Sequence, residues 1–342
     1  MRPAIADRKE QDRCQDTDDR LLFHSIAECL ARQHGRTLRM LHWTLIGLPL
    51  LLFWSLIDPL RAARCGQRRL VVAVVSGLLV VSVYHQLLRW DIYGMTFRML
   101  LLPVFIAILV LSLWLARQQT GLWGWSWLWL VLAAVLVAAG WIFVMPRHPD
   151  ASAGGVQLNW PLEPGSYAVI QGGKRPFNHH ASVTAQRYAL DITKITGLLG
   201  RRANGLMPTD FAAYHIYGAA VLAPCDGTVL RTHDGHDETP IGEGVTEDVA
   251  GNMVALQCDT ATVVLAHLQA RVQVTKGQAV TRGTILGRVG STGNSTEPHL
   301  HIHAVDRQAE DVNCLLFTCE GLPISFTRRT FARNDMFDVI NE

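Results

Sequence analysis

The sequence predicts an α-helical, membrane-spanning N-terminal region followed by a mainly antiparallel β domain. Three observations carry this reading. First, 49% of the 342 residues are hydrophobic and only 18% charged, fewer charges than the roughly 25% of an ordinary soluble domain. Second, the halves differ in composition: residues 1–145 hold 15 Lys and Arg against 9 Asp and Glu, residues 146–342 hold 16 against 20, and nine of the ten Trp precede residue 146. Third, beyond residue 158 the pattern changes to short β-branched runs punctuated by Gly. Disorder is excluded by the apolar content, and nucleic acid is disfavoured because the only net-basic half is also the apolar one.

The domain boundaries follow from these shifts. Residues 1–38 are a polar extension of mixed charge, without the apolar run of a signal peptide. Residues 39–146 contain four stretches without charge, 40–57, 70–88, 99–116 and 118–146, and a spanning helix needs about 20 apolar residues. Trp123, Trp125, Trp127 and Trp129 suit an interfacial aromatic belt. With four spans, six Arg on one side face five on the other. If the stretch at 40–57 lies in the interface, the tally becomes eight against three, with the N-terminus cytoplasmic and the C-terminal half outside. Three and four spans both stay open. Residues 147–158, rich in Pro, Gly and small polar residues, read as a linker.

The domain at 159–342 contains strand-like runs at 166–170, 219–223, 227–232, 252–257, 261–268, 272–275, 285–290 and 299–305. An insert from Lys194 to Tyr214 reads as a loop near one edge. None of the seven Cys forms a CxxC pair, which argues against a structural zinc knuckle. Outside the cytoplasm, Cys314 and Cys319 could close a small loop by disulfide. Cys225 and Cys258 read equally well as unpaired buried thiols.

Histidines carry the chemistry. In PHLHIHA (298–304) the period of a strand puts His299, His301 and His303 on one face, where three polar rings make a poor core. His267 ends the apolar run ATVVLA, and NHHASVTAQRYALD supplies His179, His180 and Asp191. Two imidazoles and a carboxylate with an open fourth position are a catalytic zinc set.

The blocks YGAAVLAPCDGTV (217–229), GNMVAL (251–256) and AHLQARVQVTKGQAVTRGTILGRVGSTGNSTEPHLHIH (266–303) resemble the lysostaphin/LytM-like zinc metallopeptidases, which cut peptide bonds in peptidoglycan. The resemblance runs from about Gln171 to Ala304. It implies a β-rich peptidase domain, a Zn2+ cofactor, Asp191 and His301 as metal ligands, and His267 and His299 as the catalytic pair. The first His ligand of the common family pattern would fall at Arg187; this chain instead resembles a branch with N-x-H, a spacer and QRYALD, which implies His180 as the ligand and His179 as its alternative. The implied function is a membrane-anchored zinc endopeptidase of the inner membrane, multi-pass, with its peptidase domain periplasmic. Its partners would be peptidoglycan peptides and the lipid bilayer, with room for a membrane-protein partner. A LytM-like scaffold without activity, which binds cell wall or activates another hydrolase, is the alternative. The absence of an HExxH motif disfavours a thermolysin-like mechanism.

Overall fold

A computed structural model describes residues 54–55, 57–60, 62–63, 67–120, 148–150, 154–173, 178–259, 261–306 and 310–340. The expected polar extension, the first apolar stretch up to residue 53 and the fourth beyond Thr120 lie outside these residues. The chain divides into two compact units, one comprising Met1–Val80 and Ile108–Leu130, the other Val81–Ala107 and Val131–Glu342.

Among the described residues before the β domain lie the helices α1 (Gln67–Leu87), α2 (Trp90–Tyr93) and α3 (Met95–Thr120). Their sequences explain them: α1 is an almost unbroken apolar run after its basic start, and α3 is apolar from Met99 to Leu115. Between them, Gly94 takes φ +129°, a conformation that suits glycine and separates α2 from α3. In the first unit Ala63, Leu70 and Val74 pack with Leu78, Leu109 and Leu115. Among the described residues one helix, Met95–Leu115, is long and apolar enough to cross a membrane by length and composition; Leu70–Gln86 is a shorter apolar helix.

The second unit holds thirteen strands among the described residues: β1 (Val156–Leu158), β2 (Gly165–Gln171), β3 (Leu190–Lys194), β4 (Ala220–Leu222), β5 (Gly227–His233), β6 (Asn252–Cys258), β7 (Ala261–Leu268), β8 (Ala279–Val280), β9 (Ile285–Arg288), β10 (Leu300–Val305), β11 (Gly321–Leu322), β12 (Ile324–Phe326) and β13 (Met336–Val339). The main sheet runs β13-β2-β3-β10-β7-β6-β5-β8, with β11 also on β10. Its pairings are antiparallel. β4 pairs antiparallel with β9, and β1 parallel with β12. β1 thus forms at the end of the segment expected as a linker.

All residues of β7 and β10 are buried, so their two faces differ in kind. One contributes Val263, Leu265, Leu300, Ile302 and Ala304 to the main core; each large apolar side chain buried there is worth about 1.5–3 kcal/mol. The other carries Val264, Ala266 and the histidines of β10, with Leu315 and Leu316 packed in the same cluster as Val264 and Ala266.

Most expected runs are strands. The run at 272–275 is not: Arg271 at φ +71° turns the chain, and Gln273 keeps a single main-chain bond to Leu286 O. Cys225 and Cys258 are joined in a disulfide, as are Cys314 and Cys319. The reading of Cys225 and Cys258 as unpaired thiols is therefore corrected. Cys225 lies in the turn before β5, whose Thr228 pairs with Gln257, and this pairing brings Cys225 beside Cys258.

Candidate metal and catalytic site

The antiparallel ladder builds the centre of the site. β10 places His301 directly opposite Asp191 of β3 and Ala266 of β7. The small Ala266 leaves room on this face. His301 Nδ1 lies 2.9 Å from Asp191 Oδ1, and His180 Nε2 lies 3.0 and 2.9 Å from the two Asp191 oxygens. Asp191 is buried. Burial alone would raise its pKa, but the surrounding imidazoles of His180, His299 and His301 hold it well below the usual carboxylate range.

His180 reaches this point from a loop tied down by its own side chains. It lies in a 3-10 turn, His179–Ser182, capped by buried Asn178, whose Oδ1 accepts from His180 N at 3.1 Å. Asn178 Nδ2 donates to Gly173 O at 2.9 Å, and Gln186 Nε2 donates to Leu316 O at 2.8 Å. His179 is exposed, and its ring lies tilted at 41° against that of His180 with centroids 3.8 Å apart. Arg187 turns to Glu320 at the surface, 2.9 Å away.

His267 and His299 approach from strand ends. His267 sits at φ +61°, a conformation costing a non-glycine residue roughly 1–3 kcal/mol. Its N–H donates to Ala250 O, its carbonyl accepts from Gly290 N, and its Nδ1 donates to Thr292 O at 2.8 Å. His299 Nδ1 donates to Glu297 O at 2.8 Å, while its Nε2 lies 3.7 Å from Asp191 Oδ1. Carbonyl oxygens only accept, so both rings carry the proton on Nδ1 and leave the Nε2 lone pair free. The His267 and His299 ring centroids are 4.8 Å apart. Burial, reinforced by His299, pushes the His267 pKa down to about 3.

The 290–298 segment therefore supplies carbonyl anchors from its backbone. Its close fit requires glycine: a Cβ on Gly293 would lie 2.4 Å from Gly251 N, and one on Gly251 would lie 2.4 Å from Thr292 Oγ1. The cleft is walled by Val183, Val249, Leu316 and Phe317, with Asn294 as a polar edge.

His303, on the same strand face, supports His301. Its Nε2 donates to Leu315 O at 2.9 Å, leaving Nδ1 to accept from His301 Nε2 at 3.0 Å. His301 Nδ1 is then an unprotonated nitrogen facing a carboxylate oxygen across 2.9 Å. Burial disfavours protonating His301 and holds its pKa well below the usual imidazole range. Two acceptors at that distance call for a cation, and the donor set of two imidazoles and one carboxylate suits zinc. His180, His179 and Asp191 also form a group with ligand atoms within 4.8 Å of one another. A second such group is His233, His236 and Asp248; there the two imidazoles already satisfy each other, Nε2 to Nε2, at 3.2 Å.

The structure thus brings His180, Asp191, His267, His299 and His301 together. Sequence reasoning missed the support from His303 to His301. It also missed a buried cluster beside Glu297, formed by Arg89, Asp91 and Arg202.

Comparison with known proteins covers the same half. A curated relative, peptidoglycan DD-endopeptidase ShyA from Vibrio cholerae serotype O1 (strain ATCC 39315 / El Tor Inaba N16961), is 36% identical over 92 residues, or 25% of this chain and 21% of the relative. The match thus spans about a fifth of that relative's length. Among solved structures, a zinc containing peptidase from Vibrio cholerae aligns with 20% identity and a TM-score of 0.28 over 49% of this chain and 39% of that one. The catalytic domain of lysostaphin from Staphylococcus simulans aligns with 18% identity and a TM-score of 0.25 over 48% and 91%. The family model described as Peptidase family M23 matches residues 208–314, which include His267, His299 and His301.

Proposed function

We propose that this protein is a membrane-anchored zinc endopeptidase that hydrolyses peptide bonds of peptidoglycan, with His180, Asp191 and His301 as metal ligands and His267 and His299 as the catalytic pair. The observation that carries the reading is the convergence of two unprotonated Nε2 atoms and a three-donor set on one cleft. When bound, zinc would lower the pKa of a water toward about 7 and polarise a carbonyl. The chain's own residues do the rest. Of His299 and His267, held by Glu297 O and Thr292 O, one ring accepts the proton of the attacking water at Nε2 and returns it to the leaving amine, while the other keeps its Nε2 lone pair to orient the water. While it carries that proton, the first ring hydrogen-bonds the oxyanion of the tetrahedral intermediate. The apolar walls from Val183 to Phe317 limit competing water around the scissile bond.

Anchoring is supported by α3, whose Val104, Ile106, Val110 and Trp114 are exposed, an apolar surface that suits lipid. Two disulfides support an oxidising compartment outside the cytoplasm. The turn between α1 and α3 is hydrogen-bonded to the β domain and so shares its side of the membrane. That side would carry Arg89 and Arg98, against the usual cytoplasmic bias of positive charge. Both are engaged there, Arg89 by Asp91 and Glu297 and Arg98 by Asn334 O. A tethered enzyme acts at high effective concentration on the adjacent wall, and the helical region leaves room for a membrane-protein partner.

The test is incubation of the purified full chain, loaded with zinc, with peptidoglycan sacculi, followed by mass spectrometry of the released fragments. New amino termini are expected in peptide stems or bridges. His267→Ala and His299→Ala should keep zinc and lose about 100-fold or more in rate. Intact sacculi with a zinc-loaded wild type would favour the scaffold reading, and wild-type rates in both variants would remove the catalytic pair.

A further inference from the structure

The turn between α1 and α3 carries a charge cluster that the peptidase chemistry does not explain. Arg89 grips Asp91 in two hydrogen bonds of 2.8 and 2.6 Å, and its Nη2 also donates to Glu297 Oε1. Arg202 donates to Glu297 Oε2 from Nε at 2.9 Å, pairs with it through Nη2 at 2.7 Å, and lies 3.4 Å from Asp91 Oδ2. Asp91, Arg202 and Glu297 are all buried. Two guanidiniums and two carboxylates balance, and such buried charges persist only when each is paired.

The backbone around the cluster is tied as closely. Arg202 N donates to Asp91 O, Met95 N to Gly200 O and Thr96 N to Leu199 O. A Cβ on Gly94 would stand 2.8 Å from Leu199 O. The insert at 194–214 is therefore the surface that receives the interhelical turn. On the other side of the cluster, the Glu297 carbonyl accepts from His299 Nδ1 and from Ser295 Oγ, both at 2.8 Å. One residue thus joins the turn through its carboxylate to the catalytic-pair histidine through its main chain.

We propose that Arg89, Asp91 and Arg202 are positioning residues that fix Glu297 and thereby hold His299, so that the membrane helices complete the catalytic site rather than merely tether it. This inference rests on the proposed role of His299. It assigns a purpose to the insert and gives a route by which a partner on the helices would alter turnover: displacing the turn removes Arg89 and Asp91, two of the three charged partners of Glu297 in the cluster.

The test uses the full chain in lipid nanodiscs with 15N-labelled histidine. The Nδ1–H proton of His299, assigned by its absence in His299→Ala, should exchange slowly in the wild type. In Arg89→Gln it should exchange about tenfold faster as the loop opens, with turnover on sacculi falling about tenfold at unchanged zinc content, a part of what acid-base catalysis supplies. Arg89→Lys, which retains the charge, should recover most of both. Asp91→Asn, nearly isosteric, should behave as Arg89→Gln and serves where that variant fails to fold. Exchange as slow as in the wild type in both Arg89→Gln and Asp91→Asn overturns the proposal. Should the wild type leave sacculi intact, the activity reading fails, yet the exchange measurement, made without substrate, still decides the coupling.

Discussion

The two sides of the cleft are built in different ways. On the proposed ligand side, Asp191 and His301 stand in register on neighbouring strands, and ladder hydrogen bonds fix their separation. On the proposed catalytic side, His267 and His299 stand where strands end, and each ring is oriented by one carbonyl of the 290–298 segment. That segment is held in turn by glycine contacts and by Glu297 in its charge cluster. A ladder gives a rigid pair of positions whatever lies beyond the sheet. A loop gives positions that depend on whatever anchors it. The ligand side therefore belongs to the β domain alone, whereas the catalytic side also draws on the interhelical turn.

The largest expected effect tests the ligand side. Asp191→Ala removes the one carboxylate that faces both His180 and His301, so zinc occupancy by elemental analysis should fall from about one equivalent to near zero. Occupancy equal to that of the wild type would falsify the assignment. A parallel pair sharpens it: His180→Ala should lose the metal and His179→Ala should retain it, because His180 Nε2 meets both Asp191 oxygens while His179 is exposed.

A smaller effect is expected one residue pair further along β10. His303 fixes the tautomer of His301 through a relay ending on Leu315 O, and removing such an outer partner lowers metal affinity by roughly 10–100-fold. His303→Ala should show that loss in competition with a chelator while its occupancy in excess zinc stays full. Affinity unchanged from the wild type would mean that the ladder alone orients His301.

The same contrast explains what the sequence revealed. His299, His301 and His303 were legible because a strand has period two and leaves no other reason for three imidazoles on one face. Asp191 and His180 were legible through the QRYALD and N-x-H resemblance, although β3 itself was not read as a strand. The role of 290–298 was only partly legible, since Thr292 and Glu297 act through carbonyls that any residue could supply. The charge cluster was not legible at all. Arg89 and Glu297 are 208 residues apart, and an Arg between two apolar stretches reads as an ordinary interfacial charge until the fold brings a carboxylate to it. The disulfide Cys225–Cys258 was hidden for a similar reason: strand pairing, not spacing, brings the thiols together.

The smallest effect concerns how charge holds the catalytic side, and it is read as a pH dependence of stability. Burial alone would raise the pKa of Glu297, but Arg89 and Arg202 outweigh it and hold it below the ordinary value of 4.5, at about 2. A carboxyl whose pKa is lower in the folded state contributes stability that is complete above about pH 4.5 and is lost as the pH falls through the folded value, because the unfolded chain takes up the proton first. Between pH 5 and 3 the wild type should therefore lose on the order of 2 kcal/mol from this group, since each tenfold difference in proton affinity between the two states is worth about 1.36 kcal/mol. Glu297→Gln, already less stable at pH 7 because Arg89 and Arg202 keep one carboxylate fewer, should lose less over the same interval. Other carboxyls, Asp191 among them, titrate in both proteins, so the difference between the two denaturation curves isolates Glu297. Parallel losses would show that the loop is held by its glycine contacts and not by charge, and the dependence of the catalytic side on the interhelical turn would then have to run through the backbone bonds of residues 199–202.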